Sequence, residues 1–334
     1  MEENFEQRRE RLKSEANKLP ILPGVYLMKD REGSIIYVGK SKHLRLRVSS
    51  YFGSSKNRPR KTLRMVRQIE SFEYILTDTE LDALLLECDL IKRIQPIYNR
   101  LLKNDSRYRY LHLNESSEMA FWESVYDRKD QGVYFGPYDM RYELQEAAQV
   151  INQYYGLAQC KGRGNWECCF ALVKEECLAP CKEDCSKDEY AKRIQQSIAF
   201  LKNEQEDILK DYETKMLKAA ENLQFETAER YKQSLLLLNR ITYREKAIKW
   251  CMSSEKLIAY IPMPTEGIKV YFFIGANIIK TTIIKKKRFL NKWKAYFDIK
   301  LTEKEYMEKG EMDRAYIIYS YLKRNEECEC IKIE

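Results

Sequence analysis

The segment from Pro23 to Tyr51, P-G-V-Y-L-M-K-D-R-E-G-S-I-I-Y-V-G-K-S-K-H-L-R-L-R-V-S-S-Y, leaves little choice of local fold. Gly24-Val25-Tyr26-Leu27-Met28 is an apolar run, and Ile35-Ile36-Tyr37-Val38, closed by Gly39, is a β-branched and aromatic one. Asp30-Arg31-Glu32-Gly33 between them reads as a turn in which Gly33 is free to take positive φ. Two short runs across a glycine-containing turn predict a β-hairpin. From Ser41 to Tyr51 there is no Gly or Pro, so a helix follows, with Arg47 and Tyr51 four apart on one face.

The charge around this hairpin is one-sided. The whole chain has 334 residues with 59 Lys/Arg against 51 Asp/Glu, a net charge of +8. Between Gly39 and Ile69 there are ten Lys/Arg and no Asp/Glu. Such a block, beside a hairpin presenting tyrosines, reads as a phosphate-binding surface, with a solvated helix face as the plainer alternative. The cations that would meet a nucleic acid are Lys42, Arg45, Lys56, Arg58, Arg60, Lys61 and Arg64.

Other elements follow from pattern. Residues 1–18 read as a polar helix, Lys61 to Ile69 as a short helix, and Phe72 to Leu76 as a strand. In T-D-T-E-L-D-A-L-L-L-E-C-D-L-I-K-R, Thr77 or Thr79 can cap a helix with Glu80 or Asp82 three residues on. Leu81, Leu84, Leu85 and Cys88 form its core face, and Glu87 lies at the edge of that face. On spacing alone Glu87 is a half-exposed flank carboxylate, since an acid is costly to bury without a partner or a metal. Pro96 ends the helix and leaves Asn99 on the following loop.

Gly24-Val25-Tyr26 and Tyr37-Val38-Gly39 resemble the two halves of the GIY-YIG nuclease signature. The fuller run Y-V-G-K-S-K-H-L-R-L-R-V-S-S-Y-F, with Lys40, Arg47 and Tyr51, resembles the UvrC family of bacterial excinucleases. L-L-L-E-C-D-L-I-K-R-I-Q-P-I-Y-N-R-L-L resembles the segment carrying that family's metal-binding glutamate and, twelve residues on, its asparagine; here these are Glu87 and Asn99. The resemblance implies a site that hydrolyses phosphodiesters with one Mg²⁺ or Mn²⁺ on Glu87, a cation that binds through one or two carboxylates and keeps its waters. It implies that Arg47 holds the phosphate and that Lys40 and Tyr51 position water or phosphate. By position Tyr37 is the first candidate for general base, with Tyr26 the alternative or a water-positioning group. A free tyrosine has a pKa near 10, so this role requires Lys40 and the metal to lower it. His43 reads as a surface residue.

Further along, Tyr134-Phe135-Gly136-Pro137-Tyr138 is either an ordinary Gly-Pro turn or the F-G-P-Y of the UvrC middle region. Cys160, Cys168, Cys169, Cys177, Cys181 and Cys185 fall within 26 residues and contain no C-x-x-C, which argues against a zinc ribbon. The spacing of Cys160, Cys169, Cys177 and Cys181 resembles the UvrC cysteine segment. That implies a [4Fe–4S] cluster, with zinc as the other metal; reduced thiols without metal are the plainer reading. Ser186 to Glu245 has no Gly or Pro. Within it Met216 to Arg230, M-L-K-A-A-E-N-L-Q-F-E-T-A-E-R, resembles the UVR motif, a helical hairpin that pairs with a similar hairpin on UvrB. Met216, Phe225 and Ala228 would meet that partner, in a stripe continued by Tyr231, Leu235 and Leu238, with packing against this chain's own body as the plainer alternative. The family often ends the motif with Arg-Asp, where this chain has Lys232-Gln233.

Residues 256–262, 267–273 and 278–284 read as strands and Asp313 to Lys323 as a helix. Lys285 to Arg288 and Lys292-Trp293-Lys294 form a second basic patch, and Cys328 and Cys330 are thiols near a frayed end. The reading is an α+β protein: a GIY-YIG domain over 1–105 with a small antiparallel sheet flanked by helices, a Cys-rich middle region over 106–200, a UVR helical hairpin over 201–245, and a small α/β tail over 246–334. The N-terminus has no apolar leader and no run approaches the roughly 20 residues that cross a bilayer, so a cytoplasmic protein is expected.

The implied function is a metal-dependent endonuclease making one incision, on the 3′ side of lesions in double-stranded DNA. It would act in nucleotide excision repair with UvrB and, indirectly, UvrA. The RNase H-like and helix-hairpin-helix parts of UvrC would be missing, as the former is in the shorter Cho proteins. Two rivals stand beside this: a catalytically idle adaptor that docks on UvrB and holds DNA, and a mobile-element GIY-YIG nuclease independent of repair.

Overall fold

The computed structural model describes residues 4–53, 59–103, 105–114, 119–129, 131–159, 176–181, 185–286, 291–298 and 306–333. They form two compact units: Met1–Asp105 with Trp250–Tyr306 and Gly310–Glu334, and Ser106–Lys249 with Met307–Lys309.

In the first unit the predicted hairpin is present as β1 (Gly24–Lys29) and β2 (Ile35–Ser41), with Gly33 at φ +80° in the turn. β3 (Ser71–Leu76) pairs with the other edge of β1, so the antiparallel sheet runs β2-β1-β3. Helix α1 (Phe5–Asn17) opens on a capping box at Asn4; α2 (Leu44–Phe52) and α3 (Arg60–Gln68) follow β2. Their apolar sides, among them Leu12, Ala16, Leu44, Val48, Phe52, Met65 and Val66, close over one face of the sheet with Tyr26 and Met28. The other face, with Val25, Leu27 and Val38, packs on Ala83, Leu90 and Ile91 of α4 (Glu80–Ile94). Thr79 caps α4 in a box with Asp82, the second of the two caps the sequence allowed.

α4 has a second apolar stripe. Leu81 and Leu85, part of the core face read from the spacing, pack on a four-stranded antiparallel sheet from the C-terminal part of the chain, together with Leu257, Ala259, Ile261, Tyr271, Phe273 and Ile318. That sheet orders as β10-β7-β8-β9, where β7 is Lys256–Pro262, β8 Ile268–Ile274, β9 Asn277–Ile284 and β10 Glu329–Ile333. Its opposite face buries Ile258, Phe272, Trp293 and Phe297. β10 corrects the expectation of a frayed end: Cys330 pairs with Ala259 and Ile331 with Ile258, which gives a short, half-charged run a partner that periodicity alone did not reveal. Polar links add to the join between α4 and this sheet. The Thr79 and Tyr271 hydroxyls stand 2.6 Å apart, and Lys269 Nζ lies 2.8 Å from Asp78 and 2.9 Å from Asp82.

In the second unit β4 (Arg109–Leu113), β5 (Trp122–Val125) and β6 (Val133–Tyr138) form an antiparallel sheet in the order β5-β4-β6. F-G-P-Y lies in β6 rather than in a turn. Asn152 of α5 (Glu143–Tyr155) holds the Trp122 main chain through both amide atoms, at 2.9 and 2.8 Å, and the Trp122 indole donates to Ser197 of α6 (Lys187–Leu201) at 2.9 Å. The predicted hairpin is α7 (Asp207–Glu221) and α8 (Phe225–Met252), with Asn222 as the C-cap of the first helix. Tyr212 meets Tyr231 edge-on at 5.5 Å across it. Leu238 is fully buried, Met216, Ala228, Tyr231 and Leu235 are half-buried, and Phe225 is 66% exposed at the tip. Among the described residues no helix is long and apolar enough to cross a membrane.

Candidate active site

Three tyrosines from three elements meet on the α2 side of the sheet. The hydroxyls of Tyr26 (β1) and Tyr51 (α2) are 2.9 Å apart, and the rings of Tyr26, Tyr37 (β2) and Tyr51 have centroids 5.8 to 6.3 Å from one another. Arg47, one turn before Tyr51 as the spacing predicted, donates from Nε to the Tyr26 hydroxyl at 3.4 Å and lies over the Tyr51 ring at 5.2 Å. A cleft of about 310 Å³ opens beside them, lined by Tyr37, Arg47, Ser50, Tyr51, Lys61, Thr62, Met65 and Tyr98.

Glu87 reaches this site from α4. Its Oε1 accepts the Lys40 main-chain N–H at 3.0 Å, and its Oε2 makes no hydrogen bond among the described residues. Burial raises its proton affinity, while the Lys40 amide and the charges of Lys40 and Arg47 pull the other way. Glu87 is half-buried, as a flank position implies, and is tied to β2 through the Lys40 amide.

Tyr26 and Tyr37 are pushed toward the protonated form. Burial pushes Tyr26 well above the ordinary phenol value, and the neighbouring Tyr51 and Tyr37 reinforce it. Burial likewise raises Tyr37, with added contributions from Tyr51 and from the charge on Glu87; only Arg47 opposes. The Lys40 ammonium, expected to favour a phenolate at Tyr37, is engaged elsewhere: Nζ donates to Glu80 Oε1 at 2.6 Å. Lys42 Nζ takes the other oxygen of Glu80 at 2.9 Å.

Asn99 is also placed by its bonds. Its Oδ1 accepts from the Val38 N–H at 3.0 Å and its Nδ2 donates to the Val38 carbonyl at 2.8 Å, so it clamps β2 between Tyr37 and Gly39. Among the cations read as DNA-binding, Arg60 and Arg64 are exposed on α3, and Lys61 donates to the Tyr98 carbonyl at 2.7 Å. Arg45 Nε donates to the Leu19 carbonyl at 2.6 Å. Lys56 and Arg58 lie outside the described residues, as do Cys160, Cys168 and Cys169. His43 is exposed, as expected. Tyr98 carries no role in the sequence reading, and Glu80 carries only that of a possible capping partner for Thr77. Glu80 could have been found, since it lies seven residues before Glu87, two turns up the same helix.

A hard cation fits Glu87: one carboxylate oxygen is fixed by an amide and the other is left over, enough for an ion that keeps most of its waters. No group of three or more His, Cys, Asp or Glu among the described residues is arranged to hold a metal. Cys177, Cys181 and Cys185 form no disulfide and lie within electrostatic reach of Tyr190, whose phenol burial raises to about 12 against the bond to the Ala158 main chain.

The hairpin, its tyrosines, the arginine one turn before the third tyrosine and the helical acid define a GIY-YIG domain. Residues 22–100 match the UvrC-like GIY-YIG domain, residues 108–200 the UvrC/Cho excinuclease middle domain, and residues 206–241 the UvrB/UvrC motif. The chain belongs to the UvrC family. It is 39% identical over 276 residues to a UvrABC system protein C of Acetivibrio thermocellus, covering 80% of this chain and 44% of that one. To its counterpart in Caldicellulosiruptor saccharolyticus it is 37% identical over 254 residues, covering 75% and 43%. The chain thus spans less than half the length of these relatives. A solved GIY-YIG N-terminal endonuclease domain of UvrC from Thermotoga maritima, bound to magnesium as its catalytic divalent cation, is 34% identical, covering 27% of this chain and 98% of that one with a TM-score of 0.25.

Proposed function

We propose that this chain is a metal-dependent DNA endonuclease that makes a single phosphodiester incision, on the 3′ side of a lesion, in nucleotide excision repair. The observation that carries the reading is that Tyr37, Arg47 and Tyr51 line one cleft, with Tyr26 bonded behind them and the Glu87 carboxylate acting electrostatically on Tyr37 and Arg47, within a segment that matches the UvrC-like GIY-YIG domain. Glu87 would hold Mg²⁺ or Mn²⁺, which when bound supplies charge stabilisation at the phosphate. Arg47, at the mouth of the cleft, binds the phosphate and offsets the charge that builds on it. Tyr37 lines the cleft whereas Tyr26 is almost fully buried, so Tyr37 is the first choice for general base, a role that now requires the bound cation, without Lys40, to draw the proton off its phenol; Tyr26 orients Arg47 and Tyr51. Asn99 fixes the strand that carries Tyr37. Lys61, Arg60 and Arg64 extend a cationic path for the duplex along α3, with Lys42 and Arg45 at the start of α2.

The UVR-type hairpin takes UvrB as partner, and UvrA through it. Support comes from the match over residues 206–241 and from Phe225, largely exposed at the hairpin tip. The four thiols Cys160, Cys169, Cys177 and Cys181 hold a [4Fe–4S] cluster, with zinc as the alternative; chain spacing carries this reading. Protein purified without oxygen should then be brown, and a colourless protein with stoichiometric zinc would overturn the iron–sulfur choice.

The test of function is incubation with lesion-bearing duplex and Mg²⁺ or Mn²⁺, with and without UvrA and UvrB, followed by mapping of nicks. One nick on the 3′ side, dependent on UvrB, is expected. Two incisions by the purified chain, or efficient nicking without UvrB, would overturn the reading.

A further inference from the structure

Lys40 is held at two points by one helix. Its main-chain N–H donates to Glu87 Oε1 at 3.0 Å, and its ammonium donates to Glu80 Oε1 at 2.6 Å. The two acids are seven residues apart on α4. Glu80 is the first helical residue, where the helix dipole favours an anion. Its side chain is only 16% exposed, and its second oxygen carries Lys42 at 2.9 Å. A lysine ammonium sits on a flexible four-carbon stem and takes whichever anion it can reach. The anion bonded to the Lys40 main chain is Glu87, whose Oε2 makes no hydrogen bond among the described residues.

We propose that Glu80 is a positioning residue: by holding the Lys40 ammonium, it keeps that charge off Glu87 and leaves the Glu87 carboxylate to a divalent cation. The inference rests on the reading of Glu87 as the cation ligand. It adds a competition to that reading, since one oxygen cannot serve an ammonium and a divalent ion at full strength together. Glu80 also sets where the Lys40 charge stands before DNA arrives, against the acid rather than among the tyrosines.

The experiment is Mn²⁺ binding by the full chain without DNA, followed by the electron paramagnetic resonance of free Mn²⁺, with thermal unfolding to confirm that each variant is folded. Glu80→Gln should weaken Mn²⁺ binding by about 10-fold, the scale on which residues behind a metal ligand act. Adding Lys40→Met to Glu80→Gln should bring the affinity back to that of Lys40→Met alone, because the competing ammonium is gone; a residue that merely props up the fold would show no such rescue. Glu80→Asp, which keeps the charge on a shorter arm, should fall between, and serves if Glu80→Gln does not fold. Unchanged Mn²⁺ affinity in Glu80→Gln, or a loss that Lys40→Met does not recover, would overturn the inference. Mn²⁺ binding that survives Glu87→Gln would overturn the cation reading of Glu87 and this inference with it; binding that needs Glu87 but ignores Glu80 would overturn the inference alone.

Discussion

A side-chain carbon at Gly39 would stand 2.4 Å from the Tyr26 hydroxyl oxygen and 2.5 Å from the ring carbon that bears it. The two residues are partners across the β1–β2 ladder, so the phenol lies over the strand where that strand has no side chain. Gly24 is a second close approach, 2.3 Å from the Ile75 carbonyl oxygen by the same construction. Neither glycine has positive φ; both serve proximity.

Gly39→Ala should therefore push Tyr26 away from Tyr51 and Arg47. Overpacking of this kind costs about 1–3 kcal/mol, and the misplaced cluster should lower nicking by roughly 10²-fold. Thermal unfolding and nicking rates measure the two effects, and a variant with unchanged stability and unchanged turnover would show that Tyr26 can relocate without consequence.

Asn99 binds the Val38 main chain with both heavy atoms of its amide, the oxygen as acceptor and the nitrogen as donor. Asn99→Asp keeps the acceptor but leaves the Val38 carbonyl without its donor. A loss of about 1–3 kcal/mol is expected, the range for an orphaned polar group, together with a fall in nicking rate. A role confined to contact with the phosphate would lower the rate and leave stability untouched.

Much of this was legible in the sequence because it is local. The hairpin, the α2 spacing of Arg47 and Tyr51, the Thr79 cap and the Asn222 break each depend on residues within a few positions of one another. What escaped depends on distant partners. Leu81 and Leu85 look like any helical core pair until β7 and β8, some 180 residues later, are seen to cover them. β10 is invisible without β7, and the clamp on Lys40 needs Glu80 across the sheet edge. The pairing of Lys40 with Glu80, rather than with Tyr37, is likewise a fact of packing that charge counting could not supply.

Glu245 of α8 is buried and accepts a hydrogen bond from the Tyr138 hydroxyl at 2.7 Å. Burial lifts its carboxyl to about 7, against the pull of that bond and of Lys249. A raised folded-state value means the folded chain binds a proton that the unfolded chain has already lost. Stability should then fall as pH rises from the ordinary glutamate range to about 7 and stay level above, by about 1–3 kcal/mol. The stability difference between wild type and Glu245→Gln, followed from pH 4.5 to 8, isolates this contribution. A difference that does not change across the window would mean Glu245 ionises as freely folded as unfolded.

Phe225 is 66% exposed at the tip of the UVR-type hairpin, too open to contribute much to the fold. Phe225→Ala should leave the unfolding temperature nearly unchanged and leave binding to duplex DNA intact, while weakening the response to UvrB by about 1–3 kcal/mol, as expected for a large side chain at the centre of an interface. Titration of UvrB against nicking rate reads this, and an unaltered midpoint would remove Phe225 from the docking surface.

The central claim is that Glu87 makes this cleft a cation-dependent nuclease site. The most direct measurement is single-turnover nicking of a lesion-bearing duplex by Glu87→Gln across a Mg²⁺ or Mn²⁺ titration, with UvrA and UvrB present, alongside DNA binding and thermal unfolding of the same variant. Glutamine keeps the shape and can still accept the Lys40 amide, so binding and unfolding should match wild type while cutting is abolished at every cation concentration. Normal turnover by Glu87→Gln, with the usual dependence on the cation, would contradict the account.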